Sequence, residues 1–269
     1  MGSDTFSGGI SIIGGGNMGA ALARGLIAGG LAPGDLTIVE IDSSKHPGLV
    51  AAFPGSTITS AIGPCSSAVL AVKPADTPAA ARAVVAGGAT MVLSIAAGVT
   101  LATLTAAAGP GVSVVRAMPN TPALVGEGAS AFALGAGCGP EAESFATAVL
   151  GSVGLAVRVE EPLLDAVTGL TGSGPAYLFY VAEALIDAGV AEGLERSVAE
   201  ALVRQLFLGA GTLLATSTET PTRLRENVTS PNGTTAAGLA ALSASGGREA
   251  FVAAVRAATA RSVELGRAK

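Results

Sequence analysis

The chain has 269 residues, 49% hydrophobic and only 13% charged, with 38 glycines and a formal net charge of −5 at pH 7. That length makes one large domain or two small ones and is ample for a buried core. The acidic balance, with no run of Lys or Arg, excludes the basic stripe of a nucleic-acid binder. One histidine (His46) and two cysteines (Cys65, Cys138) leave His-rich or Cys-rich metal sites without ligands, so no metal is expected. Two distant cysteines also give no disulfide framework and suit a reducing compartment. Met1–Gly9 carry no basic residue and so lack the n-region of a signal peptide. The uncharged stretch Ala83–Val115 is broken by Gly87-Gly88, Gly98 and Gly109-Pro110-Gly111, which argues against a membrane span. A soluble, cytoplasmic protein is expected.

The first part alternates short apolar strands with Ala-rich helices. Strands are expected at Ile10–Ile13, Leu36–Glu40, Ala68–Val72, Met91–Ile95, Val112–Val115 and Leu155–Val159, with Ala129–Leu134 another apolar segment. Helices are expected at Asn17–Ala28, Thr77–Ala86, Thr100–Ala108 and about Glu141–Leu150. Continuous apolar strands separated by helices indicate a parallel sheet covered on both faces. From about Glu161 only helices are read, at Pro162–Leu170, Ala176–Ala188, Arg196–Ala215, Pro221–Val228, Thr234–Ser243 and Arg248–Leu265. The expected architecture is α/β: a Rossmann-like doubly wound sheet over residues 1–160, then an all-α domain over 161–269. Ala201–Ala210 is apolar nearly all round, and too little chain remains to bury it, so burial in a homodimer is expected.

Gly14-Gly-Gly16-Asn-Met-Gly19 fits G-x-G-x-x-G between an expected strand and an expected helix. Glycines there allow a tight turn and close approach of backbone to a pyrophosphate on the helix N-terminus. About 20 residues on, Glu40 and Asp42 stand where an acid holds the adenosine ribose of NAD. Ser43, Ser44 and Lys45 can instead hold a 2′-phosphate, and Glu40 can equally be a solvated strand end. Lys73 and Arg116 close strands at the edge where open α/β sheets bind ligands. Each also has a structural reading, Lys73 as a surface residue and Arg116 as an ion pair holding its loop. Asn120 and Thr121 follow with amide and hydroxyl groups. Thr171-Gly-Ser-Gly-Pro175 and Ser230-Pro-Asn-Gly-Thr-Thr235 break helices and expose backbone N–H groups, either as an anion site or as simple capping by Ser230 and Thr234. His46 reads as a surface loop residue, and Cys65 and Cys138 as small buried hydrophobes.

Five motifs resemble pyrroline-5-carboxylate reductase in order and spacing. They are Ile13-Gly-Gly-Gly-Asn-Met-Gly19, Ala71-Val-Lys-Pro74, Arg116-Ala-Met-Pro-Asn-Thr-Pro122, Asp165–Tyr177 and Val228–Thr235, and the similarity covers about Ile10–Leu265. The resemblance implies a reductase that makes proline from a cyclic imino acid with NADPH, NADH being the alternative. It implies a helical domain interlocked in a homodimer, with decamers in several members. It assigns Gly14, Gly16, Asn17, Met18 and Gly19 to the pyrophosphate. Ala71, Val72, Lys73 and Pro74 would line the cofactor, with Ala97, Gly98, Asn120 and Thr121 near the nicotinamide. Ser43 joins the cofactor set through the 2′-phosphate. Thr168, Ser230, Gly233, Thr234 and Thr235 would surround the substrate, Thr235 facing its ring nitrogen. Two departures stand out: Asn232 occupies the first glycine of the family's Pro-Gly-Gly-Thr-Thr, and Thr59–Ser67 lacks the family's usual Asn. Asn tolerates positive φ better than most residues. The rival readings are a reductase of another cyclic imine, a hydroxy-acid dehydrogenase and a non-catalytic nucleotide-binding protein. Against the dehydrogenase, Pro162–Ala188 contains no lysine to handle the alcohol proton.

Overall fold

The computed structural model describes residues 8–267. Residues 1–7, read above for their lack of basic side chains, lie outside the described residues, as do 268–269. The chain opens β1 (Ile10–Ile13), α1 (Asn17–Ala28), β2 (Leu36–Val39), α2 (His46–Ala52), β3 (Thr57–Thr59) and β4 (Ser67–Leu70). It continues α3 (Thr77–Ala86), β5 (Met91–Ser94), α4 (Leu101–Ala108), β6 (Ser113–Met118), β7 (Gly128–Leu134), α5 (Pro140–Gly151) and β8 (Gly154–Arg158). The strands form one sheet in the order β3-β2-β1-β4-β5-β6-β7-β8.

Both faces of this sheet are buried, which is why its strands are apolar without alternation. Ile12, Val69, Leu93 and Val115 face one cluster with Leu22 and Leu26 of α1 and Phe145 and Leu150 of α5. Ala68, Leu70, Val92 and Val114 face the other, with Ala81 and Val84 of α3 and Leu101 and Leu104 of α4. Among the described residues the core is aliphatic apart from Phe53, Phe132 and Phe145, as the scarcity of aromatic residues requires.

The sheet is not parallel throughout. β3 to β6 run parallel, but β7 lies antiparallel to β6, with Val115 opposite Leu134 and Met118 opposite Ala131. The β6–β7 connection carries only the 3-10 turn Thr121–Val125, whereas a parallel return needs a crossover of about a dozen residues. β3 and α2 were not expected. Three half-exposed residues give β3 no readable period, and Pro47-Gly48 disguises the first turn of α2. His46 therefore begins a helix rather than lying in a loop, and its Nε2–H donates to the Glu40 carbonyl at 2.7 Å.

After β8 the chain is helical. A 3-10 turn (Glu161–Leu163) leads into α6 (Leu164–Val167) and a π-helical turn (Thr168–Gly172). Then follow α7 (Gly174–Ala191), α8 (Arg196–Thr216), α9 (Pro221–Asn227), α10 (Thr234–Ala244) and α11 (Gly247–Arg267). Two compact units result: one runs to Ser173 and regains the chain from Arg256, the other is Gly174–Val255. Leu164 is fully buried in the second sheet cluster, so the first helical turns belong to the sheet unit. The other unit is four helices and the start of α11, with Ala199 and Val203 as its buried apolar residues. Leu202, Leu206 and Leu213 of α8 stand 53–57% exposed along one face, and Leu178, Phe179 and Tyr180 of α7 are likewise 54–72% exposed. Among the described residues α8 is the one helix long and apolar enough to cross a membrane.

Candidate active site

Six parallel strands bring their carboxyl ends to one edge of the sheet. β1 and β4 are neighbours there, yet their outgoing connections run in opposite directions, which makes a crevice at the switch point. Gly14 leaves β1 at φ +110°, its N–H donating to the Val39 carbonyl at 2.8 Å. A Cβ on Gly14 would sit 2.5 Å from the Ala71 carbonyl oxygen just past β4. On Gly19, a Cβ would run into the Gly14 carbonyl. Both glycines are therefore demanded by the fold itself. Gly16 differs: a Cβ there meets nothing within 4 Å. It caps α1 without a side-chain hydrogen bond, so the first-turn amides of Asn17, Met18 and Gly19 face an open crevice suited to an anion.

Glu40 is not a solvated strand end. Its carboxylate is buried and turned inward, Oε2 accepting from Gly15 N–H at 3.2 Å and Oε1 from Asp42 N–H at 3.0 Å. Lys45 Nζ approaches Glu40 Oε2 to 3.5 Å while its side chain stays 52% exposed. Asp42 accepts from the Ser44 hydroxyl at 2.6 Å and from Ser44 N–H at 3.1 Å. Those bonds, helped by Lys45, hold the Asp42 carboxyl below its ordinary value. Ser43 and Ser44 remain exposed at this end of β2.

Next along the edge, Ala71, Val72 and Pro74 are half-buried around the exposed Lys73. Ala97 and Gly98 follow β5, Gly98 at φ +72° and buried. Asn120 is buried and fully engaged: Oδ1 accepts from Ala129 N–H at 2.8 Å and Nδ2 donates to the Thr171 carbonyl at 3.0 Å. Its amide thus ties the β6–β7 loop to the π-helical turn, and the exposed Thr121 is the free polar side chain beside it. Thr168 opens that turn, its hydroxyl donating to the Leu164 carbonyl at 2.8 Å. π-turns interrupt the regular helix ladder and recur at functional sites.

Arg116 resolves to an ion pair, and to more than a loop tie. Its side chain is 8% exposed, with Nη1 3.0 Å from Glu161 Oε1 and Nη2 3.8 Å from Asp165 Oδ1. Glu161 Oε1 also accepts from Leu101 N–H at 2.7 Å, and Asp165 Oδ1 from the Ser262 hydroxyl at 2.6 Å. Glu161 and Ser262 escaped the sequence reading, and Asp165 was read only as the start of a motif, because partners this distant along the chain leave no local signal. The cysteines are half-buried rather than buried. Cys138 Sγ lies 3.4 Å from the Val114 carbonyl, and burial pushes the Cys65 thiol up.

In the helical unit, Gly233 N–H donates to the Ser230 carbonyl at 3.0 Å. Pro231 and Asn232 fill the middle of this turn, Asn232 at φ +58°, as a type II turn with Pro first requires. Asn232 is the one non-glycine residue at positive φ among those described. Gly233, which has no side chain, occupies the N-cap of α10, so neither Ser230 nor Thr234 stands at the capping position. Thr234 and Thr235 are exposed in the first turn of α10. The structure thus gathers Gly14–Gly19, Ser43, Ala71–Pro74, Ala97–Gly98 and Asn120–Thr121 on one sheet edge, with Thr168 in the same unit. It groups Ser230–Thr235 separately in the helical unit. A cavity of about 960 Å³ lined by Leu101, Thr105, Leu134, Arg158 and Glu161 contains none of these residues.

Comparison with known proteins agrees. The family model described as pyrroline-5-carboxylate reductase dimerisation matches residues 161–265, and one described as NADP oxidoreductase coenzyme F420-dependent matches residues 9–98. A pyrroline-5-carboxylate reductase of Synechocystis is 40% identical over 264 residues, covering 96% of this chain and 98% of the relative. One from Mycobacterium tuberculosis is 39% identical, covering 95% and 96%. This chain belongs to the pyrroline-5-carboxylate reductase family. Among solved structures, the Coxiella burnetii member superposes with a TM-score of 0.90 at 32% identity, covering 96% of this chain and 98% of that one. The Plasmodium falciparum member, solved with NADP bound, gives 0.82 at 28% identity, with the same coverage. The family's α/β sheet domain followed by a helical dimerisation domain is the architecture described above.

Gly14 and Gly16 of the fingerprint separate by experiment. Gly14→Ala forces a side chain into positive φ against backbone and should cost at least about 1–3 kcal/mol, read as a lowered Tm. Gly16→Ala should leave stability within about 0.5 kcal/mol, since the new methyl meets only open space.

Proposed function

We propose that this chain reduces 1-pyrroline-5-carboxylate to L-proline with NADPH, the last step of proline biosynthesis. Family membership supports the reaction, and the observation that carries the cofactor reading is the crevice at Gly16, open where the fold itself needs no glycine. The residues present fit a dinucleotide. Gly14, Gly16, Asn17, Met18 and Gly19 bring backbone amides to the pyrophosphate, while Ala71, Val72, Lys73 and Pro74 line the opposite wall of the switch-point crevice. The inward Glu40 offers no carboxylate to repel a 2′-phosphate, and Ser43, Ser44 and Lys45 present hydroxyls and an ammonium group for it. This favours NADPH over NADH.

The bound nicotinamide supplies a hydride to the imine carbon. The chain's own contribution is orientation and charge complementarity. Ala97, Gly98, Asn120 and Thr121 hold the nicotinamide end. In the helical unit, Ser230, Gly233, Thr234 and Thr235 bind the imino acid, the first-turn amides of α10 taking its carboxylate and the Thr235 hydroxyl hydrogen-bonding the ring nitrogen; in the sheet unit, Thr168 is the residue assigned to the substrate. A protonated cyclic imine needs little further acid catalysis, so the chain's lack of catalytic His and Cys is consistent with this chemistry.

A second copy of the chain covers the apolar face of α7 and α8, and this homodimer is the working unit in the cytoplasm; dimers assembled into a decamer are the higher form. Fully burying one leucine is worth about 1.5–3 kcal/mol, so a row of exposed leucines is a strong drive to associate. The same drive accounts for the hydropathy of α8 without a membrane.

Purified protein mixed with NADPH and pyrroline-5-carboxylate should lose NADPH absorbance and yield proline; no loss with NADPH or NADH overturns the reading. Thr235→Val should lower kcat/KM by about 1–3 kcal/mol of barrier, the loss of one hydrogen-bond partner to the ring nitrogen. Lys45→Ala should raise KM for NADPH about tenfold while leaving that for NADH within a factor of two, which steady-state kinetics with both cofactors reads. Leu206→Glu should shift the sedimenting species to smaller size by placing a charge on the apolar face.

A further inference from the structure

The end of α11 lies in the sheet unit, not the helical one. Ser262, 5% exposed, is the one buried polar residue of α11 among those described. Its hydroxyl donates to Asp165 Oδ1 at 2.6 Å, a short bond of the charge-assisted kind. Asp165 is in turn faced by Arg116 Nη2 at 3.8 Å, and Arg116 by Glu161 at 3.0 Å. Glu161 also accepts the Leu101 N–H at the start of α4, at 2.7 Å. About one turn beyond Ser262, the backbone of Leu265 and Gly266 abuts Gly98. A Cβ on Gly98 would lie 3.5 Å from Gly266 N and from the Leu265 carbonyl carbon and oxygen. The β5–α4 loop is therefore held from two sides: at its α4 end through Glu161, and behind Gly98 by the end of α11. Chain ends fray unless something ties them down. Here the tie is the Ser262–Asp165 bond.

We propose that Ser262 and Asp165 are positioning residues for hydride transfer, docking the end of α11 behind the Ala97–Gly98 loop and so setting where the nicotinamide ring lies. This rests on the reading of Ala97 and Gly98 as the nicotinamide loop. Neither residue touches the reacting atoms; both act through the loop. Hydride transfer needs donor and acceptor carbons in close, aligned contact, and small misplacements from distant changes cost large factors in rate.

The test compares Ser262→Ala, Asp165→Ala and the double variant with the unmodified full chain. Each single variant should lower kcat about tenfold, as expected of a small misplacement. The double variant should be no worse than Asp165→Ala, because that change already removes the Ser262 bond together with the Arg116 contact. The dissociation constant of 2′,5′-ADP, which occupies only the adenosine end, should stay within a factor of two. The fluorescence of bound NADPH, which reports on the nicotinamide ring, should change. Ser262→Thr, which retains the hydroxyl, should restore kcat. The proposal is overturned if Ser262→Ala keeps kcat within twofold and bound-NADPH fluorescence unaltered. It is equally overturned if 2′,5′-ADP affinity falls in step with kcat, the sign of general unfolding. The fluorescence comparison involves no imine, so a wild-type chain that binds NADPH but does not reduce pyrroline-5-carboxylate would refute the proposed function and leave this test standing.

Discussion

The close approach of Gly14 to the Ala71 carbonyl governs everything at the carboxyl edge of the sheet. β1 must turn into α1 while β4 passes beside it, and the 2.5 Å that would separate a Cβ from the Ala71 oxygen leaves room for glycine alone. With that turn fixed, α1 begins immediately above the crevice, and its unsatisfied amides point where the outgoing connections diverge. Gly19 continues the constraint by letting α1 pack down on the turn. Gly16 is the exception that reveals the purpose, since the polypeptide has no steric need of it.

Few side chains on this edge are free to bind anything. Glu40 is consumed by the Gly15 and Asp42 amides, Asn120 by Ala129 and Thr171, and Arg116 by Glu161 and Asp165. Buried polar groups must be paired, and here the pairing shapes the loops that carry the site. What remains available is backbone amide, hydroxyl, the exposed Lys73 and the half-exposed Lys45–Asp42 pair. The buried charges of this edge, Glu40 and Arg116, serve the scaffold. The glycine excess follows the same division, part of it at ligand-facing turns and much of it ending helices.

Most strands and the main helices were legible because their signals are local. Ile10–Ile13, Asn17–Ala28 and Thr77–Ala86 have the bounds that period and punctuation imply. The direction of β7 was not, because it depends on a connection with no crossover helix rather than on β7's own residues. The π-turn at Thr168–Gly172 was also hidden: an i+5 hydrogen bond leaves no compositional trace. Least legible was the Arg116 network, whose members Asp165 and Ser262 lie 97 residues apart. Of the fingerprint, position relative to β1 was readable, but the inward turn of Glu40 was not, since it depends on where Gly15 comes to rest.

Asn232 has a consequence in conformational entropy. A glycine in the same turn would enter positive φ freely, yet it would leave an unfolded or unliganded loop with more states to lose. Asparagine accepts some native strain at φ +58° and narrows that ensemble, with Pro231 narrowing it further from the other side. The Ser230–Thr235 turn is therefore already narrowed in the unfolded chain, and less conformational entropy is lost when folding fixes it.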